Sequence, residues 1–561
     1  MNKTIKILLI WFILLPLFIF SFNVFKYELR FSHQTLLVYN PPFPWSRYLI
    51  ITPIKKLYIK LFNNGKTGLP TVKLVTDKDV KKILLQSTPN STKEWKNASL
   101  EISEGKTKKV KIRYRGDNPR NWLLEKRKIG IRTEENNLIN GQRYFDFWPI
   151  EISKLIPTRI AHNMNILTSN PKIVELYING QSNGAYMKFE RINKYFLKKN
   201  NLENSNLYKG ENKSLEYYIG INDNLFNNPS LWKKESSNKS SFLANKNDLI
   251  NFLTVLQSAE TRKKDFEKLK TYLDLETWSK YLAFITITTN YQHIYNKNTR
   301  LIINPNTGVT APIITDPGIN MRKKSRKDKL VILDFTTNDL VSLLTRSSVY
   351  IDRKYHIIND YIKNKKVFDN EISFLNNDLK KLNITLSRDF EINKSNFTKE
   401  VNFYKDYLER VKIYIVELLN AKPESSWFIN KNGFSINIDK HIPISEISVK
   451  FKTSNTLKWV VVDENYNNKV DENEKKFLIN SNGEINLPIT LYANRLKLTN
   501  KKYLMHNQDN IEVVNTRFNF IGNEKAIPLN ISAKNPFSKK NYQIKNKKTN
   551  SVQKSKFNEI I

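Results

Sequence analysis

Two sets of side chains in this sequence have the types and spacing to do chemistry. The first is acidic and amide. Asp316, in Thr315-Asp316-Pro317-Gly318, stands behind a polar stretch that carries Asn290, Gln292, His293, Asn296 and Asn298. An Asn and an Asp set around one magnesium ion is a recurrent arrangement for phosphoryl transfer. His293 adds an imidazole, which titrates near neutrality and can act as a base. The second set is basic. Lys111, Arg113 and Arg115 alternate with apolar residues in Val110-Lys111-Ile112-Arg113-Tyr114-Arg115, and Lys126, Lys128 and Arg132 follow. Arg binds phosphate as a planar fork and Lys as a point charge, so basic side chains converging from strands can hold a phosphate. A solvated strand face has the same pattern, and the two readings stay open at this level.

These residues need elements to position them. Leu275, Trp278, Leu282 and Ile285 recur three or four apart and predict a helix. Thr299 to Ile303 predicts a strand, Asn304-Pro305-Asn306-Thr307-Gly308 a turn, and Ala311 to Ile314 a second run ending at Asp316. Upstream, the alternation around Arg113 and the apolar Ile129 and Ile131 predict two strands with one basic face, joined through Gly116-Asp117-Asn118-Pro119. Residues 158–167 read as a helix. Val174 to Ile178, the tight turn Asn179-Gly180 and a return strand from Gly184 to Glu190 form a hairpin. A helix from Ile192 to Lys199 follows, and helices are expected over 240–258, 261–272 and 353–419.

The bulk composition sets limits. The chain of 561 residues corresponds to roughly three domains, and 40% hydrophobic residues suffice for a core. There is no cysteine, which excludes disulfides, zinc–thiolate sites and Cys nucleophiles. Ninety-two Lys and Arg against 53 Asp and Glu give a net charge of +39. Such a balance reflects either a polyanionic partner or a compositional bias toward Lys, Asn and Ile. No nucleic-acid-binding signature is present, so no nucleic-acid partner is expected. In Met321-Arg322-Lys323-Lys324-Ser325-Arg326-Lys327-Asp328-Lys329, six of nine residues are basic. It reads as a solvated loop or as a loop that engages an anionic acceptor.

The ends of the chain differ from its middle. Residues 7–25 are uncharged and apolar, long enough for a membrane helix, with no small-residue cleavage site after them. They predict an uncleaved signal anchor, a single pass through the cytoplasmic membrane and an extracytoplasmic body. Residues 427–530 carry alternating strand-like runs and predict a β-rich, sandwich-like domain. Residues 531–561 are rich in Lys, Asn and Ser and predict a basic disordered tail.

The ordered set Lys111-Ile112-Arg113-Tyr114-Arg115-Gly116, then Leu176-Tyr177-Ile178-Asn179-Gly180 with Gly184-Ala185-Tyr186 and Glu190, then the Asn-rich loop and Asp316, resembles the CotH kinase family, the spore-coat-protein-H-like atypical protein kinases. The resemblance covers roughly residues 72–419. It implies an α+β fold with a divergent protein-kinase-like body at 72–425, set between an anchor (1–30), a connector (31–71) and the C-terminal parts. It also implies ATP and Mg²⁺ as cofactors, and a protein or anionic surface polymer as acceptor. Arg113, Arg115, Lys126 and Lys128 would contact nucleotide phosphates, with Glu190 paired to one of them. Asp316 would ligate Mg²⁺ with Asn298, or Asn296, beside it. Two departures stand out: Gln292 occupies the place of the family's loop Asp, and Asp316 is single where the family often has two acids. His293 is then the candidate base; otherwise the body is a catalytically inactive scaffold that binds nucleotide or acidic polysaccharide.

Overall fold

The computed structural model describes residues 68–547 apart from 78–79, 81–83, 85–93, 103–104, 116–125, 211–223, 237–244, 260–262, 289–297, 318–337, 346, 388, 390–393, 439–441, 453–455, 464–468, 472–473, 493, 496–512 and 515. It is a mixed α+β protein with several sheets. The first seven strands are β1 (Thr71–Val75), β2 (Lys96–Ile102), β3 (Lys106–Tyr114), β4 (Ile129–Thr133), β5 (Tyr144–Pro149), β6 (Lys172–Ile178) and β7 (Gln181–Glu190). They form a barrel in the order β1-β2-β3-β4-β5-β7-β6, closed by parallel pairing of β1 with β6. Strand alternation dictates its two faces. Val110, Ile112 and Tyr114, with Ile129, Ile131, Phe145 and Phe147, fill the interior. The intervening residues, Lys111 and Arg113 on β3, Arg132 on β4 and Asp146 on β5, therefore project outward. The β6–β7 hairpin turns through Asn179 and Gly180, both at positive φ (49° and 79°), as a two-residue turn requires.

Helix α1 (Ile152–Asn163) leaves β5 after a two-residue connection, with Lys154 in its first turn over the Trp148 ring of β5. It begins six residues before the start expected from sequence, because Pro157 is accommodated within it. A second sheet, β8 (Asn206–Gly210), β9 (Trp232–Ser236), β10 (Thr299–Ile303) and β11 (Thr310–Pro312), runs in the order β11-β10-β8-β9. After β7 comes α2 (Lys194–Lys199), capped by the Asn193 side chain on the Tyr195 and Phe196 amides. Then follow α3 (Asn247–Ala259), α4 (Lys263–Lys270), α5 (Leu275–Thr288), α6 (Asp339–Leu344), α7 (Ser348–Lys363), α8 (Val367–Ser387) and α9 (Lys394–Asn420). The helix expected from the spacing of Leu275, Trp278, Leu282 and Ile285 is α5. From Tyr281 to Thr288 it is buried on every side, and its exposed positions lie in its first half, with Leu275 exposed. It is the central strut of the helical core, and its far end delivers residues 289–297.

The C-terminal strands are β12 (Ser425–Ile429), β13 (Gly433–Ile438), β14 (Ile444–Phe451), β15 (Trp459–Asp463), β16 (Phe477–Leu478), β17 (Glu484–Leu491), β18 (Asn494–Arg495), β19 (Val513–Val514), β20 (Thr516–Gly522), β21 (Pro528–Lys534), β22 (Asn541–Gln543) and β23 (Lys545–Asn546). A six-stranded sheet (β16-β15-β20-β13-β12-β23) and a four-stranded one (β17-β14-β21-β22) share one apolar core, with Phe434 and Phe520 stacked at 4.6 Å. The disordered tail expected from residue 531 is corrected as far as residue 547. Ile531, Ala533 and Ile544 are buried apolar anchors within a polar stretch, and two further strands form there. This unit docks on the helices. Asn535 donates to the carbonyls of Leu419 and Ala421, both at 2.9 Å, and Tyr492 stacks on Tyr355. No described helix is long and apolar enough to cross a membrane; the anchor expected at 7–25 lies outside the described residues.

Candidate functional site

The site is assembled on the outer face of β3, β4, β5 and β7. Register places Arg113 opposite Gly130, Gly130 opposite Asp146, and Asp146 opposite Phe189, so one row crosses four strands. Asp146 sits at the centre of this row, nearly fully buried. Arg191, just past β7, reaches its Oδ1 at 2.7 Å, and Arg115 lies 3.4 Å from its Oδ2. Burial by itself would raise the Asp146 carboxyl; Arg115 and Arg191, with Arg113 behind them, outweigh it and hold the group below the usual carboxylate range. Gly130 makes this crossing possible. A Cβ there would come within 3.0 Å of the Arg115 side chain and of the Arg191 guanidinium.

Positive charge exceeds negative in this cluster. Arg113 and Arg132 stack on the Trp95 ring at 4.5 and 4.8 Å, with Arg191 at 6.0 Å. Arg115, Arg191 and Arg113 thus bear on the Asp146 carboxylate, and Arg132 lies close enough to act on Arg113. The Nε groups of Arg113, Arg115 and Arg191 are buried with no hydrogen-bond acceptor among the described residues. Desolvation, reinforced by Arg115 and Arg191, lowers Arg113 to about 10. It stays protonated at neutral pH, and an anion would relieve the crowding.

Farther along the same face lies Lys128. Its ammonium rests 3.9 Å above the Trp148 ring, and it forms no salt bridge among the described residues. Burial, then the neighbouring Lys154, push it down to about 8, against the pull of Asp316, Glu151 and Asp146. Lys154, in the first turn of α1, binds Asp316 Oδ1 at 2.5 Å and lies 3.8 Å from Glu151. The first turn of a helix, with its free amides, favours negative charge in the same place.

Asp316 is held by a pinned segment. The Ile314 amide donates to Leu167 O (2.8 Å), Thr168 Oγ1 donates to Ile314 O (3.0 Å), and Thr315 Oγ1 donates to Asn298 O (3.3 Å). Asp316 and Asn298 both take positive φ, 47° and 57°, a conformation that Asn and Asp tolerate better than most residues. Among the described residues no cluster of three His or acidic side chains exists. One carboxylate with an adjacent Asn does not make an all-protein metal cage. It does suit Mg²⁺, which is commonly held by one or two carboxylates together with substrate phosphates.

A basic barrel face opposite an Asp-bearing loop is accompanied by a sequence match: residues 151–415 fit the family described as CotH kinase protein. The core of the chain belongs to the CotH kinase family. That CotH kinase core supplies Lys154, Arg191, Asn298 and Asp316, while Arg113, Arg115, Lys128 and Asp146 come from the strands before it. No curated protein sequence matches the chain. Among solved structures, the Shewanella oneidensis MR-1 toxin–antitoxin complex of HipA, HipB and its operator DNA is similar at 12% identity. The match covers 62% of this chain and 74% of that one, with a TM-score of 0.23.

Of the residues singled out from sequence, Arg113, Arg115 and Lys128 share one face, and Lys154 links that face to Asp316, with Asn298 adjoining. Two others are corrected. Lys126 precedes β4 and is wholly buried against Asp389, which is equally buried, with its ammonium over the core ring of Tyr186, inside the barrel and not on its outer face. Glu190 pairs with Lys199 at 2.5 Å, because α2 returns beside the end of β7 and supplies the nearer cation. Asp146 takes the role expected of Glu190. Gln292, His293 and Asn296, and the basic run 321–329, lie outside the described residues. Sequence reading missed Asp146, Arg191, Lys154 and Trp95. A signal for the first was present: a lone acid between Phe145 and Phe147 in a strand must point away from the core they enter.

Proposed function

We propose that the chain is a membrane-anchored phosphotransferase of the CotH kinase type, moving a phosphoryl group from ATP to a protein or cell-surface polymer acceptor outside the cytoplasm. The observation that carries this reading is the half-buried Lys128, without a salt bridge among the described residues, set between Arg113, Arg115 and Arg191 on one side and Asp316 on the other. Phosphoryl transfer demands little covalent work from a protein. It needs fixed positive charge around the donor phosphates and an oriented acceptor.

In this scheme Lys128 and the Arg113–Arg115 pair bind the donor phosphates and orient the terminal one toward the Asp316 loop. Asp316 and Asn298 would hold Mg²⁺, which supplies charge neutralisation at the transferring group. The acceptor hydroxyl oxygen forms the new bond to phosphorus, the bond to the leaving diphosphate breaks, and the hydroxyl proton passes to a base, for which His293 is the candidate. Trp148 packs beneath Lys128 and Lys154 and keeps water from that side. A second reading, a nucleotide-binding scaffold without transfer, is supported by Gln292 in the place of an acid and by Asp316 as a single carboxylate tied to Lys154.

The test is transfer from γ-labelled ATP in the presence of Mg²⁺ to envelope protein and polymer fractions. Label incorporation that Asp316→Ala abolishes supports transfer. Mg²⁺-dependent nucleotide binding without incorporation supports the scaffold, and neither binding nor incorporation contradicts both.

A further inference from the structure

The outer face of the four-stranded sheet β17-β14-β21-β22 forms a groove that the phosphotransfer reading does not use. Register aligns one row of side chains across all four strands: Asn486 opposite Ser448, Ser448 opposite Ser532, and Ser532 opposite Gln543. Their neighbours along the strands, Leu487, Val449, Ile531 and Ala533, turn into the sandwich core. The two central positions of the row are short hydroxyls and the two flanking ones are longer amides. The face is therefore a trough, with a volume of about 630 Å³, a size typical of small-molecule sites.

The four-residue row along the trough is uncharged. None of the four side chains hydrogen-bonds another group among the described residues, so their donors and acceptors are free toward solvent. Charge stands at the ends: Glu446 and Lys534, paired at 2.5 Å, line one end, with Lys539 4.0 Å from the same carboxylate, and Lys450 with Glu484 at 3.1 Å lies beyond the lining on the same face. Pro488 adds an apolar patch to one wall. On a chain of net charge +39, a trough whose floor and walls carry no cation is not built for an anionic polymer. Hydroxyls and amides that both donate and accept, beside a small apolar surface, match the alternating hydroxyl and C–H surface of a sugar.

We propose that this trough binds a neutral glycan, with Ser448 and Ser532 as its floor and Asn486 and Gln543 as its hydrogen-bonding walls. The site stands independently of the phosphotransfer reading.

The test is affinity electrophoresis of the full chain through gels containing laminarin, soluble starch, xylan or galactomannan, with polygalacturonate as the anionic control. The expected result is retardation by at least one neutral polysaccharide that persists at molar salt, where charge attraction is screened. Asn486→Ala combined with Gln543→Ala changes two exposed side chains and should weaken retardation at least about tenfold without altering the melting transition. Ser448→Trp, which fills the trough, should abolish it. The Lys128→Met variant should be retarded like the parent chain, so failure of phosphotransfer and failure of this site remain distinguishable. Three outcomes would overturn the proposal: no retardation by any neutral polymer, retardation unchanged in the double variant, or retardation only by polygalacturonate and lost at high salt.

Discussion

Lys126 and Lys128 are two residues apart in one basic run, yet the fold gives them opposite fates. Lys126 is sealed against Asp389, 263 residues away in sequence, and sits over Tyr186. Lys128 lies on the barrel's outer face over Trp148, with no salt bridge among the described residues and a pKa pushed down to about 8. The first is a structural fastener and the second is poised for an anion. A run of basic residues in a sequence therefore does not identify a phosphate site; which cations are already neutralised by distant parts of the chain decides it.

The contrast can be broken first at the fastener. Lys126→Met leaves Asp389 buried beside an apolar side chain and should cost about 3–5 kcal/mol, read by urea denaturation. Pairing it with Asp389→Leu should recover a large part of that loss. If Lys126→Met is neutral, Lys126 is not a fastener. A smaller effect is expected at Gly130, where Ala would push against Arg115 and Arg191. That change should cost about 1–3 kcal/mol and also weaken anion binding, since the displaced guanidiniums leave Asp146. An unchanged melt would mean that the two side chains have room to move.

No loss of stability is expected at Lys128. Lys128→Met should leave the chain at least as stable near pH 7, because it removes a charge that burial already disfavours. The pH dependence has a definite sign. The folded pKa of about 8 lies below the ordinary 10.5, so between those values the unfolded chain holds a proton that the folded one has released. Stability of the parent chain should thus rise with pH across that window, and this increment should be absent in Lys128→Met. Anion affinity should move the other way, falling as pH passes through about 8, and Lys128→Arg should flatten that fall.

Much of the barrel was legible in sequence because alternation and turn chemistry are local. The β6–β7 hairpin follows from Asn179-Gly180, and the strand face bearing Arg113 from its apolar neighbours. What could not be read was pairing across distance. Nothing local tells that Asp389 will neutralise Lys126, that Lys199 will take Glu190, or that Lys154 on α1 will reach Asp316. Helix α5 was legible as a helix, but the extent of its burial was not. Its polar Ser279, Thr286 and Thr288 look solvent-facing by type, but they are buried, and Ser279 and Thr288 donate to backbone carbonyls. Residues 531–547 were misjudged because a few apolar anchors in a Lys- and Asn-rich stretch are enough to add strands to an existing sheet.

The central claim is that Lys128, and not Lys126, receives the phosphates of a bound nucleotide. Its most direct test is an ATP titration of the full chain with Mg²⁺ at neutral pH, set against Lys128→Met in a sample shown to retain its melting transition. A loss of at least about tenfold in affinity is predicted. Equal affinity in the two proteins would contradict the account.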